Sequence, residues 1–510
     1  MPRRPIHAAL LAAALLAALP AAALATDAPD AGLAPGAAPS PEAAVLLERL
    51  EQQEQRIRVL ERRLEIADET AAATARATPV AKAAPAGYSL TAADSSYAIK
   101  LRGNLAVDGR FFLDRNTPAS ADTWLLRRVR PYIEGTVGRI YDFRFMPDFG
   151  GGRSVVMDAY VAARFRPWFV VQAGKFKGPV GLERLQPDQY NRFLELGFPS
   201  GLVPNRDLGV QFSGALFDNR LAYAVGWFDG TADGSSTDGN ATGDTDNDGK
   251  RDWEARVFAQ PFLDSGHFAL RGLGFGLGGS YVRSTGVATS SATNVTNGAT
   301  TGVLTTVATT SLLPTYRTPG QQSLFAYRGD SAGTGTLNEA TFAAGLRRRL
   351  APQAYYYHGP FGLLGEYTEV TQQVRRQVNA TTSRAATLRH SAWQVSGSWF
   401  LTGEEAAYAA FTPRSTFAIG QPGWGAWELV ARYQRIAFDA DAFAGGAASF
   451  ADPAKSVSAA RALGVGVNWY LNQNFKWHLD YEQSGYTGGA AAGADRPDER
   501  LLATRFSLVF

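Results

Sequence analysis

Cysteine is absent from this chain of 510 residues, and methionine and histidine are scarce, with three and five residues. The lack of cysteine excludes disulfides and thiolate metal sites. The five histidines show no spacing typical of metal ligands. Long apolar runs are also missing, since no stretch after residue 25 approaches the roughly 20 residues of a transmembrane helix. These absences exclude a disulfide scaffold and a helical membrane protein.

The chain has almost no net charge, with 50 Lys and Arg residues against 47 Asp and Glu residues. Residues 1–25 place Arg3 and Arg4 before an apolar Ala and Leu core and end in Ala23-Leu24-Ala25, a pattern typical of a signal peptide. The alternative, an uncleaved anchor helix, is disfavoured by the short core. Cleavage would leave 48 basic against 47 acidic residues, so the overall charge gives no reason to expect nucleic acid as a partner.

Glycine and aromatic residues are abundant, with 53 Gly, 29 Phe and 19 Tyr, and apolar residues recur at every second position. In the final segment Leu502, Phe506 and Leu508 alternate with Arg505 and Ser507. An extended strand with this pattern has one apolar face and one polar face. Such segments of about ten residues, repeated along a chain, are typical of an outer-membrane β-barrel with lipid outside and water inside. The sequence therefore predicts an all-β fold, a transmembrane antiparallel barrel.

The alternation predicts sixteen strands. They lie at 98–112, 124–137, 140–149, 155–166, 167–177, 207–217, 219–229, 252–261, 270–284, 339–350, 361–374, 390–401, 425–436, 462–471, 475–483 and 500–510. An even number places both chain ends in the periplasm. Counted back from Phe510, the short connections then fall on the periplasmic side and most long ones outside, as this architecture requires. The connection at about 402–424 is the exception, since it is long and periplasmic.

Before the barrel, which we assign to residues 97–510, the composition predicts three further segments. Residues 26–41 are rich in Ala and Pro and are expected to be disordered. Residues 42–67 predict a helix whose apolar seam suggests a short periplasmic coiled coil. The seam residues are Ala43, Leu46, Leu50, Gln53, Ile57, Leu60, Leu64 and Ala67. A single helix lying on its own barrel is the alternative, because Gln53 weakens the seam. Residues 68–96 are predicted to be a linker.

Several motifs, in matching order along residues 97–510, resemble the phosphate-selective porin O and P family. They are Asp158-Ala159-Tyr160, Gly174-Lys175-Phe176-Lys177-Gly178-Pro179 with Glu183, Asn205-Arg206-Asp207-Leu208-Gly209-Val210, Phe400-Leu401-Thr402-Gly403-Glu404, Gly425-Ala426-Trp427-Glu428-Leu429-Val430-Ala431-Arg432-Tyr433 and Asn468-Trp469-Tyr470-Leu471-Asn472. The resemblance implies a homotrimeric, sixteen-stranded channel with a loop folded into the lumen. By this resemblance residues 178–206 are the constriction loop. Members with an N-terminal coiled coil also occur.

In a pore, basic side chains that face the lumen attract anions and repel cations. Strand parity and the constriction loop give eleven candidates for lining the pore and binding anions: Arg128, Arg130, Arg144, Arg164, Lys175, Lys177, Arg184, Arg192, Arg206, Arg432 and Arg505. The alternative for each is a structural ion pair with a neighbouring acid such as Asp148, Asp158, Glu134 or Glu428. The loop itself is close to neutral, because Glu183, Asp188, Glu195 and Asp207 offset its arginines.

One acidic stretch could bind a metal ion. Asp244, Asp246, Asp248 and Asp252 surround Gly249 with the spacing of a calcium loop. The bidentate acid required at the twelfth position is missing, because Ala255 stands there. A solvated acidic loop is the alternative. No other cofactor is expected.

The sequence thus predicts a passive channel of the bacterial outer membrane for small anions, phosphate or polyphosphate in particular. Its expected partners are the anionic solutes and the membrane lipid, and no enzyme activity is expected. A match to the nucleophile-elbow pattern at Gly329-Asp330-Ser331-Ala332-Gly333 lies in a polar loop with no helix after it. Two alternatives stay open: a general porin with little ion preference, and a structural anchor whose coiled coil binds periplasmic partners.

Overall fold

The computed structural model describes residues 41–114, 121–152, 154–230, 248–294, 303–329, 340–378, 382–409 and 411–510. The chain divides into two compact units at Thr74. The predictions for residues 1–25 and 26–40 lie outside the described residues. In the part of the chain that the structure describes, no helix combines the length and the apolar character needed to cross a bilayer.

Helix α1 (Pro41–Ala77) is longer than the helix predicted over 42–67. It continues because residues 71–77 are mostly Ala, the best helix former, and it ends just before Pro79, which disfavours helix in the preceding residue. Its apolar seam is exposed, with Leu46, Leu50, Ile57, Leu60 and Leu64 each more than half accessible. The expected linker at 68–96 is thus partly regular, and it also contains two short strands, β1 (Val80–Ala84) and β2 (Gly87–Thr91).

Sixteen strands form a closed antiparallel barrel. They are β3 (Tyr97–Phe112), β4 (Thr123–Val137), β5 (Tyr141–Asp148), β6 (Val155–Arg166), β7 (Phe169–Lys177), β8 (Arg206–Leu216), β9 (Leu221–Phe228), β10 (Asp252–Ala259), β11 (Leu273–Thr285), β16 (Thr341–His358), β17 (Phe361–Gln377), β18 (Ser383–Phe400), β19 (Ala426–Ala437), β20 (Val457–Tyr470), β21 (Phe475–Gly488) and β22 (Glu499–Val509). Each pairs with the next, and β22 pairs with β3, with Arg505 opposite Asp108. The predicted barrel and its strand number are confirmed.

Shorter elements lie in the connections. They are the hairpins β12 (Val287–Asn294) with β13 (Val303–Thr310) and β14 (Thr315–Arg317) with β15 (Ser323–Ala326), the helix α2 (Leu182–Leu185), and single 3-10 turns that include Asp188–Tyr190. Strand β2 pairs with the first residues of β3, beyond the end of β22. The N–H of Phe510 bonds to Gly103 O at 3.0 Å. We call the end of the barrel that holds Phe510 the short-turn end and the other the long-loop end.

The barrel is apolar outside and polar inside. On β20 the side chains of Leu463 and Val465 are about half exposed, whereas on β21 Lys476, Asp480 and Glu482 are buried. Tryptophans lie beside the turns of the short-turn end, where Trp427 stacks on Trp469 with ring centroids 5.0 Å apart. A sheet that hides its charges and exposes its hydrophobic side chains is stable only when its outer surface faces lipid.

Candidate functional site in the barrel lumen

The connection between β7 and β8, residues 178–205, crosses the lumen, and we call it the inner loop. Its backbone is held by polar side chains of distant strands. Leu182 N bonds to Glu366 on β17 at 2.9 Å, Phe198 N to Gln434 on β19 at 2.7 Å and Leu194 N to Asp480 on β21 at 2.7 Å. These contacts satisfy backbone groups that would otherwise be buried without partners.

Charged side chains of the inner loop form buried ion pairs with the barrel wall. Glu195 binds Arg110 at 2.6 Å and Arg127 at 2.9 Å, and Arg192 binds Glu428 at 3.0 Å. Asp188 binds Arg130, and Lys177 at 3.3 Å. The charged residues of this loop therefore attach it to the wall, since each acid pairs with a basic residue of the wall.

Electrostatics keep the loop carboxylate Glu195 ionised. Burial alone would raise its pKa, but the guanidinium groups of Arg127, Arg110 and Arg505 outweigh burial and hold the pKa below its usual value. Burial disfavours the charged form of Arg192, but the carboxylate of Glu428 more than compensates and raises the pKa of that guanidinium.

A second segment enters the lumen from the short-turn end. Residues 401–425, which we call the insert, connect β18 to β19 and meet the inner loop. The Tyr408 hydroxyl donates to Leu182 O at 2.6 Å, and Gln186 Nε2 donates to Tyr408 O at 2.6 Å. The Tyr408 ring stacks on Tyr355 at 5.2 Å. At the long-loop end, β14 and β15 form an apolar cluster with the wall, in which Phe325 stacks on Phe438 at 4.3 Å. The insert, the inner loop and the β14–β15 hairpin therefore all pack against the wall along β16–β21.

The opposite side of the lumen, along β4–β10, leaves a cavity of about 410 Å³ between the wall and the inner loop. We call it the larger cavity. Its charged lining consists of five basic residues, Arg130, Arg144, Lys177, Arg206 and Arg256, against two acids, Asp158 and Asp188. The lining therefore has a net positive charge.

Four of the five basic residues have carboxylate partners. Arg130 binds Asp148 at 2.7 Å, Arg206 binds Asp158 at 2.7 Å, Arg144 lies 3.8 Å from Asp158, and Lys177 binds Asp188. Arg256 differs, because within the described residues it has no carboxylate partner. Its Nε donates to Gln353 at 2.9 Å, and its guanidinium lies over the Phe258 ring at 4.5 Å. Arg256 is therefore the lining cation best placed to bind a passing anion.

The eleven basic candidates are thus dispersed. Arg130, Arg144, Lys177 and Arg206 line the larger cavity, and the other seven do not. Arg128, Arg184, Arg432 and Arg505 are buried, Arg192 is half-buried, and all five hold the inner loop or the wall, as with Arg432 on Glu482 at 2.9 Å and Arg505 on Asp108 at 2.6 Å. Lys175 is buried. Arg164 is half exposed and binds Asp142 at 2.6 Å.

Arg256 was not among the sequence candidates, although the signal was available. Trp253 and Val257 flank it on the opposite parity, and both are about half exposed on the outer surface. The same alternation that selected Arg128 and Arg130 therefore also selects Arg256 for the lumen.

The calcium prediction is only partly covered by the described residues. Asp252 is buried and accepts from Arg347 and Arg349, both at 3.0 Å, and Asp248 accepts from the N–H groups of Lys250 and Thr285. Asp244 and Asp246 lie outside the described residues. Among the residues that are described, no cluster of three or more acidic or histidine side chains could hold a metal ion.

A second, smaller cavity of about 220 Å³ opens at the short-turn end and is lined by Arg102, Lys476, Tyr470 and Phe510 among others. Gln189 of the inner loop lines both cavities. On β3 the lumen-facing Asn104 lines the larger cavity, and Arg102, one inward position closer to the short-turn end, lines the smaller one. The two cavities therefore adjoin at Gln189.

A closed barrel with a lipid-compatible exterior and a charged lumen is the architecture of a porin. The sequence profile of the family described as phosphate-selective porin O and P matches residues 99–510. This chain belongs to that family. The family and the barrel agree in indicating a channel of the bacterial outer membrane. No curated protein sequence matches the chain.

Solved porins are similar to this member of the family at low identity. The outer membrane channel DcaP of Acinetobacter baumannii is 9% identical over 81% of this chain and 98% of its own, with a TM-score of 0.47. The anion-selective porin from Comamonas acidovorans is 11% identical over 81% and 100%, with a TM-score of 0.44. The trimer form of OmpT from Vibrio cholerae is 13% identical over the same shares, with a TM-score of 0.43.

Proposed function

We propose that this porin is a passive channel that favours small anions, phosphate and polyphosphate in particular. The observation that carries the proposal is the lining of the larger cavity, where five basic side chains face two acids. A net positive constriction replaces part of an anion's hydration and repels cations. The two adjoining cavities offer a route past Gln189, first along β4–β10 and then between the insert and β3 and β20–β22 at the short-turn end.

Topology supports an orientation with the short-turn end in the periplasm, because short periplasmic turns and long external loops are the rule for such barrels. The N-terminal helix would then lie in the periplasm, after cleavage of residues 1–25 as a signal peptide. The exposed seam of α1 supports a coiled coil between copies of the chain.

We also propose a homotrimer. Strands β5, β9 and β10 have eight residues each. At about 3.4 Å per residue and a tilt of about 45°, such a strand rises about 19 Å, less than the roughly 25 Å of the apolar band. Neighbouring copies that cover this low part of the wall would shield the surface that is too short to span the apolar band of the membrane. An aromatic row on the outside, Phe212, Trp227 and Trp253 with centroids about 6 Å apart, supports the same surface.

Reversal potentials of the purified protein in planar bilayers under a KCl gradient test the proposal. We expect a chloride preference, reduced when Arg256 becomes Gln and reversed or nearly abolished when it becomes Glu. Arg283→Gln is the matched control, because it removes the same charge from an exposed position on β11. A channel without preference would indicate a general porin, and a protein without conductance would indicate a structural anchor.

A further inference from the structure

The lining of the larger cavity contains apolar and aromatic side chains besides its charges. Tyr132, Met146, Tyr160 and Phe176 come from β4, β5, β6 and β7, and Leu185 faces them from the inner loop. Aromatic packing fixes part of this surface, since Phe176 lies edge-on to Tyr160 at 6.0 Å and to Phe228 at 5.4 Å. Apolar and aromatic surface therefore lies between the charged side chains of the same strands.

Small side chains lie beside Arg256 and leave space in the cavity. Its cross-strand partner is Ala224, and Ala222 lies opposite Phe258. Both alanines line the larger cavity. A ligand whose anionic group binds Arg256 would thus place the rest of its body against alanine and aromatic surface.

A small inorganic anion uses only the charged part of this arrangement. Burying phosphate requires many donors to replace its hydration. Here Arg130, Arg144, Lys177 and Arg206 already share their donors with Asp148, Asp158 or Asp188, and only Arg256 is without a carboxylate partner among the described residues. The carbon surface of Met146, Phe176 and Leu185 offers such an anion no hydrogen bond.

From this combination we propose that the larger cavity binds organic phosphates whose phosphate group is attached to an aromatic or other apolar body, in preference to inorganic phosphate. The inference rests on the proposed anion channel and specifies its solute class. The phosphate group binds Arg256, and the body packs against the surface formed by Tyr160, Phe176 and Leu185. Burying about 60 Å² of ring surface at about 25 cal/mol/Å² corresponds to roughly a tenfold gain in affinity.

The test compares phenyl phosphate with inorganic phosphate as blockers of the chloride current through the full-length protein. The two share the head group and differ in the ring. We expect half-block by phenyl phosphate at a concentration about tenfold lower than by inorganic phosphate, and no block by phenol. Equal block, or stronger block by inorganic phosphate, in a channel that still prefers chloride would overturn this inference and leave the proposed function intact. Loss of the chloride preference itself would instead overturn the proposed function.

Two variants separate the ring contact from the charge. Leu185→Ser should raise the half-block concentration of phenyl phosphate about threefold or more and leave that of inorganic phosphate unchanged. Tyr160→Ser should act in the same direction, which keeps the test decisive if one variant fails to fold. Leu270→Ser is the control, since Leu270 lies in the β10–β11 connection outside the cavity. Identical block curves for all variants would count against the apolar contact.

Discussion

The difference between two lumen arginines shows what decides function at the scale of the residue. Arg432 is fully buried. It donates to the Glu482 carboxylate at 2.9 Å and to the backbone oxygen of Glu195 at 3.0 Å, so its charge stabilises the fold. Arg256 has no such acid among the described residues and lines the passage. Both residues face the lumen by strand parity. They differ because a carboxylate from another part of the chain binds Arg432, whereas none of the described carboxylates binds Arg256.

Gln189 gives a prediction at the same scale. It lines both cavities, and its side-chain amide makes no hydrogen bond with any described residue. Its neighbour Asp188 is held by Arg130 and Lys177, which fixes the backbone that presents it. We expect Gln189→Ala to raise single-channel conductance by roughly a factor of two, and Gln189→Glu to weaken chloride preference, because a carboxylate at a constriction repels anions.

Single-channel recording in bilayers measures both effects. Gln421→Ala is the control, since Gln421 lies in the insert but lines neither cavity. An unchanged conductance in Gln189→Ala would mean that the narrowest point lies elsewhere.

The sequence predicted which face of a strand a residue occupies, because parity is a local property. It could not predict which lumen arginines are paired. Glu195, for example, meets Arg110 and Arg127 across 85 and 68 residues. Such pairs depend on where the inner loop lies in three dimensions, and a single sequence contains no local signal for that.

At the scale of the element, the inner loop should respond to acid. Because the folded pKa of Glu195 lies below its ordinary value of 4.5, its ionised form stabilises the loop fully above that pH. This contribution falls as the pH drops towards and through the lower folded pKa. We therefore expect the contribution of Glu195 to stay constant from pH 7 to about 5 and to fall only in the more acidic range, where its loss should change conductance or open-channel noise.

Glu195→Gln tests the same link at neutral pH. Removing one charge from a buried ion pair costs roughly 3–5 kcal/mol, because its partners stay buried without compensation. The variant should thus show at pH 7 the noise that the parent channel shows in acid. Quiet currents from Glu195→Gln at pH 7 would contradict the role of Glu195. Glu405→Gln is the control, since Glu405 is exposed in the insert.

The insert gives a second prediction for an element. Tyr408→Phe removes the hydrogen bond to Leu182 O but keeps the ring on Tyr355, so we expect a loss of about 0.5–1.5 kcal/mol. Tyr408→Ala also removes the ring and should raise conductance by loosening the contact between the insert and the inner loop. Denaturant unfolding and single-channel recording measure the two effects, with Tyr433→Phe on the outer face as the control. Equal conductance in both variants would indicate that the insert does not narrow the passage.

Strands were predictable where the alternation of apolar and polar residues is clear, and less so where that alternation is interrupted. All sixteen strands were found, but β16 continues to His358 rather than ending near 350. Pro352 and the aromatic run Tyr355-Tyr356-Tyr357 hide the alternation there, although the strand continues in register with β11. The insert has no period at all, and its place in the lumen depends on contacts such as Gln186 with Tyr408, 222 residues apart.

At the scale of the whole molecule, the lumen is divided lengthwise. The side along β16–β21 is occupied by the aromatic cluster of β14 and β15, the inner loop and the insert, and the side along β4–β10 holds the larger cavity. The open side coincides with the short strands β5, β9 and β10 that we assign to contacts between copies. In a trimer the three passages would therefore run close to the common axis, beneath the best-shielded part of each wall.

Assembly through α1 can be tested in the full-length protein because the chain has no native cysteine. Leu50 lies on the apolar seam and is 57% exposed in one copy. In a parallel coiled coil its counterparts would meet at the centre, so mild oxidation of Leu50→Cys should give covalent dimers within the trimer on non-reducing gels. Glu51→Cys, one position off the seam, should crosslink several-fold less.

The two substitutions also distinguish a coiled coil from a lone helix. A helix that lies on its own barrel would keep Leu50 away from other copies, and neither cysteine would then crosslink. Since residues 42–67 line neither cavity, deleting them should leave the conductance of each channel unchanged while weakening association between copies. A loss of conductance on this deletion would mean that α1 belongs to the conducting machinery, because a tether has no contact with the passing ions.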